Sequence, residues 1–212
     1  MTRWEKHVKR WSNCQRCPLH KCRRNVVLLR GEVPCDILFC GEAPGENEDR
    51  EGLPFWGQAG HKLDAIIEAA LGDLDGGSFF GFLATGSPGH LPSDLAMRTD
   101  KLRMAWTNVV ACIPRDEDGG KATEPPDQAI KACAPRLKEC MDLCKPGLVV
   151  CVGKLATKWV RKLEVVPEGI AICDLTHPAA ILRGPEAMRS IETRRAAVVL
   201  RKAIKEFLEV PF

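Results

Sequence analysis

Short, wholly apolar runs set the first limit on what this chain can become. Ile37-Leu38-Phe39-Cys40 and Leu148-Val149-Val150-Cys151-Val152 are too brief for buried helices. The second is bounded by Pro146-Gly147 and Gly153, so it reads as a strand buried on both faces of a parallel sheet. Met104 to Val110 and Ile170 to Leu175 read as two more strands, and Val26 to Leu29 is a candidate edge strand beside these four. Between the runs, apolar residues recur at helical spacing: Leu63, Ile66, Ile67 and Ala70 after the first strand, then Ile130, Cys133, Leu137 and Met141 in a helix opened by Pro125-Pro126 and running to about Cys144. Gly153-Lys154 opens another helix, and a basic one spans about Glu186 to Leu208. Strand and helix alternate, which predicts a three-layer α/β/α fold around a central, mostly parallel four-stranded sheet.

A chain of 212 residues fits one such domain with a sizeable core. Residues 73–100, with five glycines and two prolines, read as an irregular insertion in it. The N-terminus has no apolar signal region and no run is long enough to span a bilayer, so a cytoplasmic protein without a membrane is expected, and separately a monomer. Net charge is only +3, yet its distribution is uneven. Residues 1–30 carry nine Lys/Arg against Glu5 alone, and residues 183–205 carry seven against Glu186 and Glu192. Basic ends of this kind are either solvated helix faces or seats for a phosphate backbone.

The stretch from Gly41 to Leu63, GEAPGENEDREGLPFWGQAGHKL, joins the first central strand to its helix. In an open α/β sheet, ligands bind in such loops, against the N–H groups of the next helix. Glycines that admit close backbone approach, several acids, and the flat faces of Phe55 and Trp56 suit a pocket for a planar polar ring; a plain connecting loop is the alternative. The eleven cysteines are an odd number in a chain with no secretory signal, so metal binding is a better use for them than complete disulfide pairing. Cys14-x-x-Cys17 is a chelating pair that needs two more soft ligands, and a four-cysteine site takes zinc or an iron–sulfur cluster equally well on spacing alone.

Gly41-Glu42-Ala43-Pro44-Gly45, Glu48-Asp49, Gly52-Leu53-Pro54-Phe55 and Gly57-Gln58-Ala59-Gly60 resemble the first motif of the iron–sulfur uracil-DNA glycosylases, family 4 of that superfamily. Cys14-Gln15-Arg16-Cys17-Pro18, Thr107-Asn108-Val109, Cys133-Ala134-Pro135 and His177-Pro178-Ala179 follow in the family's order, so the resemblance covers nearly the whole chain.

The resemblance implies a base-excision DNA repair enzyme, a monofunctional hydrolase that cuts uracil from DNA and leaves an abasic site. It implies a 4Fe-4S cluster on Cys14, Cys17, Cys112 and Cys133, the last two separated by 20 residues, a longer gap than is usual in the family. The cluster would join the N-terminal segment, which shows few other anchors, to the body. The remaining cysteines read as buried small apolar residues, with Cys140 and Cys144 as fallback ligands.

Excision requires a flipped nucleotide, a ring-edge reader, a donor for charge growing on O2, and water. The implied roles are stacking for Phe55, ring-edge reading for Asn108 and an O2 contact for His177, with Gly41 lining the slot. Taken singly, each has a plain reading: a core Phe, a strand-end cap, a turn. Ala43 stands where another family of uracil glycosylases places a water-activating Asp, which leaves Glu42 to hold or polarise water. Gly45 stands where that family has a tyrosine excluding thymine's methyl, and the resemblance implies that Glu48 fills the space. His177 to Arg183 resembles a DNA-penetrating loop, with Leu182 or Ile181 filling the vacated stack and Arg183 on phosphate. Further phosphate seats are expected at Gly57 to Gly60 and at Gly153-Lys154. Two rival readings remain: a relative excising hypoxanthine or xanthine, and a DNA-binding or polymerase-associated protein of the same fold without turnover.

Overall fold

The computed structural model describes residues 1–75, 102–116 and 120–209. The expected insertion at 73–100 lies almost wholly outside them. In chain order the elements are α1 (Arg3–Trp11), a 3-10 turn (Pro18–Lys21), β1 (Arg30–Gly31), β2 (Ile37–Gly41), α2 (Glu46–Glu51), α3 (Gln58–Asp75), β3 (Met104–Asn108), α4 (Asp127–Cys144), β4 (Leu148–Val152), α5 (Lys154–Lys162), β5 (Ala171–Leu175), α6 (Pro178–Arg183) and α7 (Glu186–Glu209).

The sheet has five strands in the order β1-β3-β2-β4-β5. The four expected strands are parallel, and the fifth is a short antiparallel edge on β3. That edge lies at Arg30–Gly31, not at Val26 to Leu29. The earlier run is buried through Val27 and Leu28 but touches the strand's extension by single bonds, Val27 N–H to the Ala111 carbonyl at 2.8 Å and the Thr107 hydroxyl to the Leu28 carbonyl at 2.8 Å.

Alternate residues of the buried strands face opposite layers, as the two-residue period of a strand requires. Ile37, Phe39, Val150 and Val152 meet α3, α6 and α7, while Leu38, Cys40, Val149 and Cys151 meet α4 and α5. From β2 the chain steps to β3 on one side, then returns past β2 to β4 on the other. The crevice between β2 and β4, at their carboxyl ends, is therefore where a ligand is expected in such a sheet. Among the described residues no helix is long and apolar enough to cross a membrane.

The N-terminal segment is better anchored than its sequence suggests. His7 and Trp11 are the buried residues of α1. Glu139 on α4 accepts from Trp11 Nε1 at 2.7 Å, lies 3.4 Å from His7 Nδ1 and pairs with Arg10.

Candidate active site and thiol cavity

Gly41 ends β2 and Asn108 ends β3, paired side by side in the register. A Cβ at Gly41 would run into Asn108 Oδ1 and come within 2.7 Å of Phe55 Cζ, so the absent side chain is what lets the Phe ring and the Asn amide share one place. Phe55 itself has φ +56°, a left-handed backbone uncommon for a bulky residue. Two neighbours hold it there. Gly60 leaves room for the Phe55 carbonyl, which any Cβ would strike, and Glu48 accepts from the Phe55 N–H through Oε1 and from Gly45 N–H through Oε2 at 2.5 Å. Burial pushes the Glu48 carboxyl above its ordinary value, against donors from Gly45, Phe55 and Trp56 and the charge of Arg30. Glu48 thus bonds the backbone on both sides of the slot.

Asn108 is buried, and among the described residues its Nδ2 has no hydrogen-bond partner. A buried amide donor left unpaired is costly, so such an atom marks a place where an acceptor belongs.

His177 follows β5 and caps α6, its Nδ1 accepting from Ala179 N–H at 3.1 Å. A backbone N–H can only donate, so Nδ1 carries no proton and the neutral ring holds its hydrogen on Nε2. Burial, and then the charge of Arg183, keep this ring's pKa below the usual value. The ring rests on Gly153 at the end of β4, where a Cβ would come within 3.0 Å of His177 Cβ and Cδ2. Glu42, half-buried, bonds Val110 N–H through its carbonyl at 3.0 Å, and burial and then Glu124 push its carboxyl above the ordinary range. Ala43 is half-buried against the second core layer and offers no titrating group.

Of the expected DNA-contacting residues, Lys154 and Arg183 are exposed at the starts of α5 and the end of α6, and Leu182 is partly exposed. Gly57 and Gly60 flank the first turn of α3. Ile181 is a correction. Pro178 starts a short helix rather than a loop, and Ile181, one turn on, shares its buried face, 4% exposed in the core with α3 and α7. Of the two apolar candidates, Leu182 is the one that is partly exposed.

The four expected metal ligands come from three separate segments and line one cavity: Cys14 and Cys17 beyond α1, Cys112 beyond β3, Cys133 on α4. Arg16, Arg23 and Arg136 line it as well. Burial pushes the Cys112 thiol up to about 12, Arg23 opposing and Cys133, Cys17 and Cys14 adding to the rise. Cys17 is raised by burial, and by Cys133 and Cys14 in turn. Among the described residues, no three His, Cys, Asp or Glu converge closely enough for a single metal ion. All eleven cysteines are free, and Cys140 and Cys144 lie buried 3.9 Å apart in the core, off the cavity, so they are not reserve ligands.

Two residues at this junction carry no role in the sequence reading. Asp49, fully buried, accepts from Arg24 N–H at 2.9 Å and Asn25 N–H at 3.2 Å, tying the cysteine-bearing segment to α2; its place beside Glu48 in the motif was the available signal. Arg136 is 1% exposed, an arginine inside the apolar stripe of α4.

Comparison with known proteins identifies the family of the chain. Residues 30–201 match the model of the uracil DNA glycosylase superfamily. A type-4 uracil-DNA glycosylase of Sulfurisphaera tokodaii is 32% identical over 85% of this chain and 76% of its own length. Proteins of the same description from Pyrobaculum aerophilum, 27% identical over 93% of each chain, and Thermotoga maritima, 26% identical over 95% of this chain and 92% of the relative, are also similar.

Proposed function

The chain belongs to the uracil DNA glycosylase superfamily, and from that premise we propose that it removes uracil from DNA by hydrolysing the N-glycosidic bond and leaving an abasic site. The observation that carries this reading is the unpaired, buried Nδ2 of Asn108 beside the ring of Phe55. Uracil presents an acceptor at O4 and a donor at N3, which an amide meets with Nδ2 and Oδ1 respectively. Cytosine presents the reverse edge and would set its own amino group against Nδ2.

In the reaction the C1′–N1 bond breaks and its electron pair leaves with the base, spreading onto O2, while water oxygen bonds C1′ and releases a proton. Phe55 stacks on the flipped ring, with Glu48 fixing its backbone. His177 donates from Nε2 to O2 as charge grows there, a contribution of about 3 kcal/mol for a preorganised donor. Because the ring is neutral, it stabilises the anion without first giving up a proton. Glu42, with its raised pKa, holds and polarises the water. Leu182 fills the vacated stack, and Arg183, Lys154 and the first turn of α3 hold phosphates.

Cys14, Cys17, Cys112 and Cys133 would hold a 4Fe-4S cluster. Four thiols lining one cavity suit a tetrathiolate group, and kinship with the type-4 glycosylases, which the sequence resembles as an iron–sulfur family, favours a cluster over zinc. The guanidiniums of Arg16, Arg23 and Arg136 suit its negative charge. Such a group, when bound, supplies a cross-link between three segments.

The test is a glycosylase assay on oligonucleotides bearing uracil, hypoxanthine or xanthine. Uracil is expected to be cleaved fastest. Faster release of hypoxanthine would move the substrate to a purine, and no cleavage of any would reduce the protein to a binder.

A further inference from the structure

Arg136 is a buried cation that meets no carboxylate among the described residues. Among the described residues its bonds are Nη1 to the Thr107 hydroxyl at 2.9 Å, and Nη2 to the Asn108 carbonyl at 2.5 Å, the Val109 carbonyl at 2.9 Å and Cys133 Sγ at 3.6 Å. Nε has no partner. A guanidinium removed from water is stable only where its donors are used and a negative charge lies near. The donors go to the strand end that carries the ring-edge reader. The sulfur it touches belongs to a cavity-lining cysteine, which bears a fixed negative charge once metal-bound.

The same two peptides are held from the opposite side: Val109 N–H donates to the Gly41 carbonyl at 2.9 Å and Val110 N–H to the Glu42 carbonyl at 3.0 Å. The Asn108 main chain is thus clamped between β2 and one guanidinium. Thr107, receiving Nη1, passes its own hydrogen to the Leu28 carbonyl, so the N-terminal segment joins the same junction.

Resting on the reading of a uracil glycosylase with a cluster at these cysteines, we propose that Arg136 is a positioning residue that couples the two sites: it is the countercharge of the Cys133 thiolate and the clamp that aims the Asn108 amide. It touches neither DNA nor the reacting atoms, and acts through Asn108.

The test compares the metal-loaded parent with Arg136→Gln and Arg136→Lys. Iron and sulfide content, the cluster's reduction potential, DNA affinity and the single-turnover cleavage rate are measured on each. Lysine keeps the charge but cannot fork to two carbonyls and a sulfur. Loss of buried hydrogen bonds behind the reader is expected to slow cleavage roughly tenfold or more in both variants, with DNA affinity within about twofold of the parent. The potential is expected to move to more negative values in Arg136→Gln and to stay near the parent in Arg136→Lys, because cluster potentials follow local charge and bonds to sulfur.

Parent-like cleavage by loaded Arg136→Lys overturns the clamp. A potential in Arg136→Lys displaced as far as in Arg136→Gln overturns the countercharge. If Arg136→Gln fails to fold, Arg136→Lys measured against the parent decides both: slowed cleavage at an unmoved potential supports the proposal, and parent-like cleavage or a displaced potential overturns it. A parent that holds zinc, or that leaves uracil in place, removes the underlying reading and the proposal with it, and is seen before any variant is made.

Discussion

The proposed base site and the thiol cavity lie on either side of Asn108, Val109 and Arg136, and they are built by opposite rules. The pocket depends on backbone shape: Gly41 and Gly60 leave volumes that a single methyl would fill, and Phe55 is held at positive φ by Glu48 and Gly60. The cavity depends on side-chain chemistry: four sulfurs from three segments, among three arginines. Loop length between the segments matters little there, since closing a somewhat longer loop adds only a small entropic term. A shape-built site fails by distortion and a donor-built site by loss of a ligand, so substitutions should separate them.

Cys17→Ser makes the largest expected change. It should abolish metal loading, read as iron and sulfide per chain, while the far-ultraviolet spectrum keeps its helical signal, because Glu139 still bonds Trp11 and pairs with Arg10. Full loading would take Cys17 out of the ligand set. His177→Ala should follow with a ~100- to 1000-fold slower cleavage at unchanged metal content, the range for losing one oxyanion donor. Asn108→Asp comes next at roughly 30- to 1000-fold, since a carboxylate facing O4 repels where an amide donates. Slight activity on cytosine would fit, its amino group donating to the new acid. Parent-like rates in Asn108→Asp, with metal retained, would move the reader elsewhere.

A smaller effect lies in the pH profile. Burial lowers the His177 pKa, so the neutral, Nε2-protonated ring persists below the usual 6.5. Cleavage should therefore hold across neutral pH and decline only as acid protonates Nδ1 and breaks its bond to Ala179. The stability linked to this ring has the same sign: it is complete above 6.5, where the unfolded ring is neutral too, and is lost as pH falls through the lower folded value. A rate that instead falls on passing upward through pH 6 to 7 would require a cationic imidazole. Smallest is Arg183→Ala, expected to weaken binding to any DNA sequence and to flatten the salt dependence by about one counterion.

The sequence carried the sheet well because Ile37 to Cys40 and Leu148 to Val152 are fully buried, and full burial admits only apolar residues. The residues singled out by type are also brought together in space, Asn108 beside Phe55 and the four cysteines around one cavity. The sequence was mute where a role depends on direction. Six residues from Pro178 to Arg183 are too few to display a helical period, so Ile181 looked free when it faces the core. Arg136 drew no reading because nothing local reveals that its carbonyl partners lie 27 and 28 positions away. Val26 to Leu29 has the composition of a strand, but only isolated bonds meet it.

The unpaired Nδ2 of Asn108 also bears on the end of the catalytic cycle. The bond to O4 proposed for it would be the same whether the ring is joined to sugar or already free, and contacts common to both states add nothing to the rate of bond breaking. They lengthen the stay of the severed base instead. On that proposal free uracil should occupy the slot and compete with DNA, so a donor that selects the substrate would also delay the enzyme's return to service.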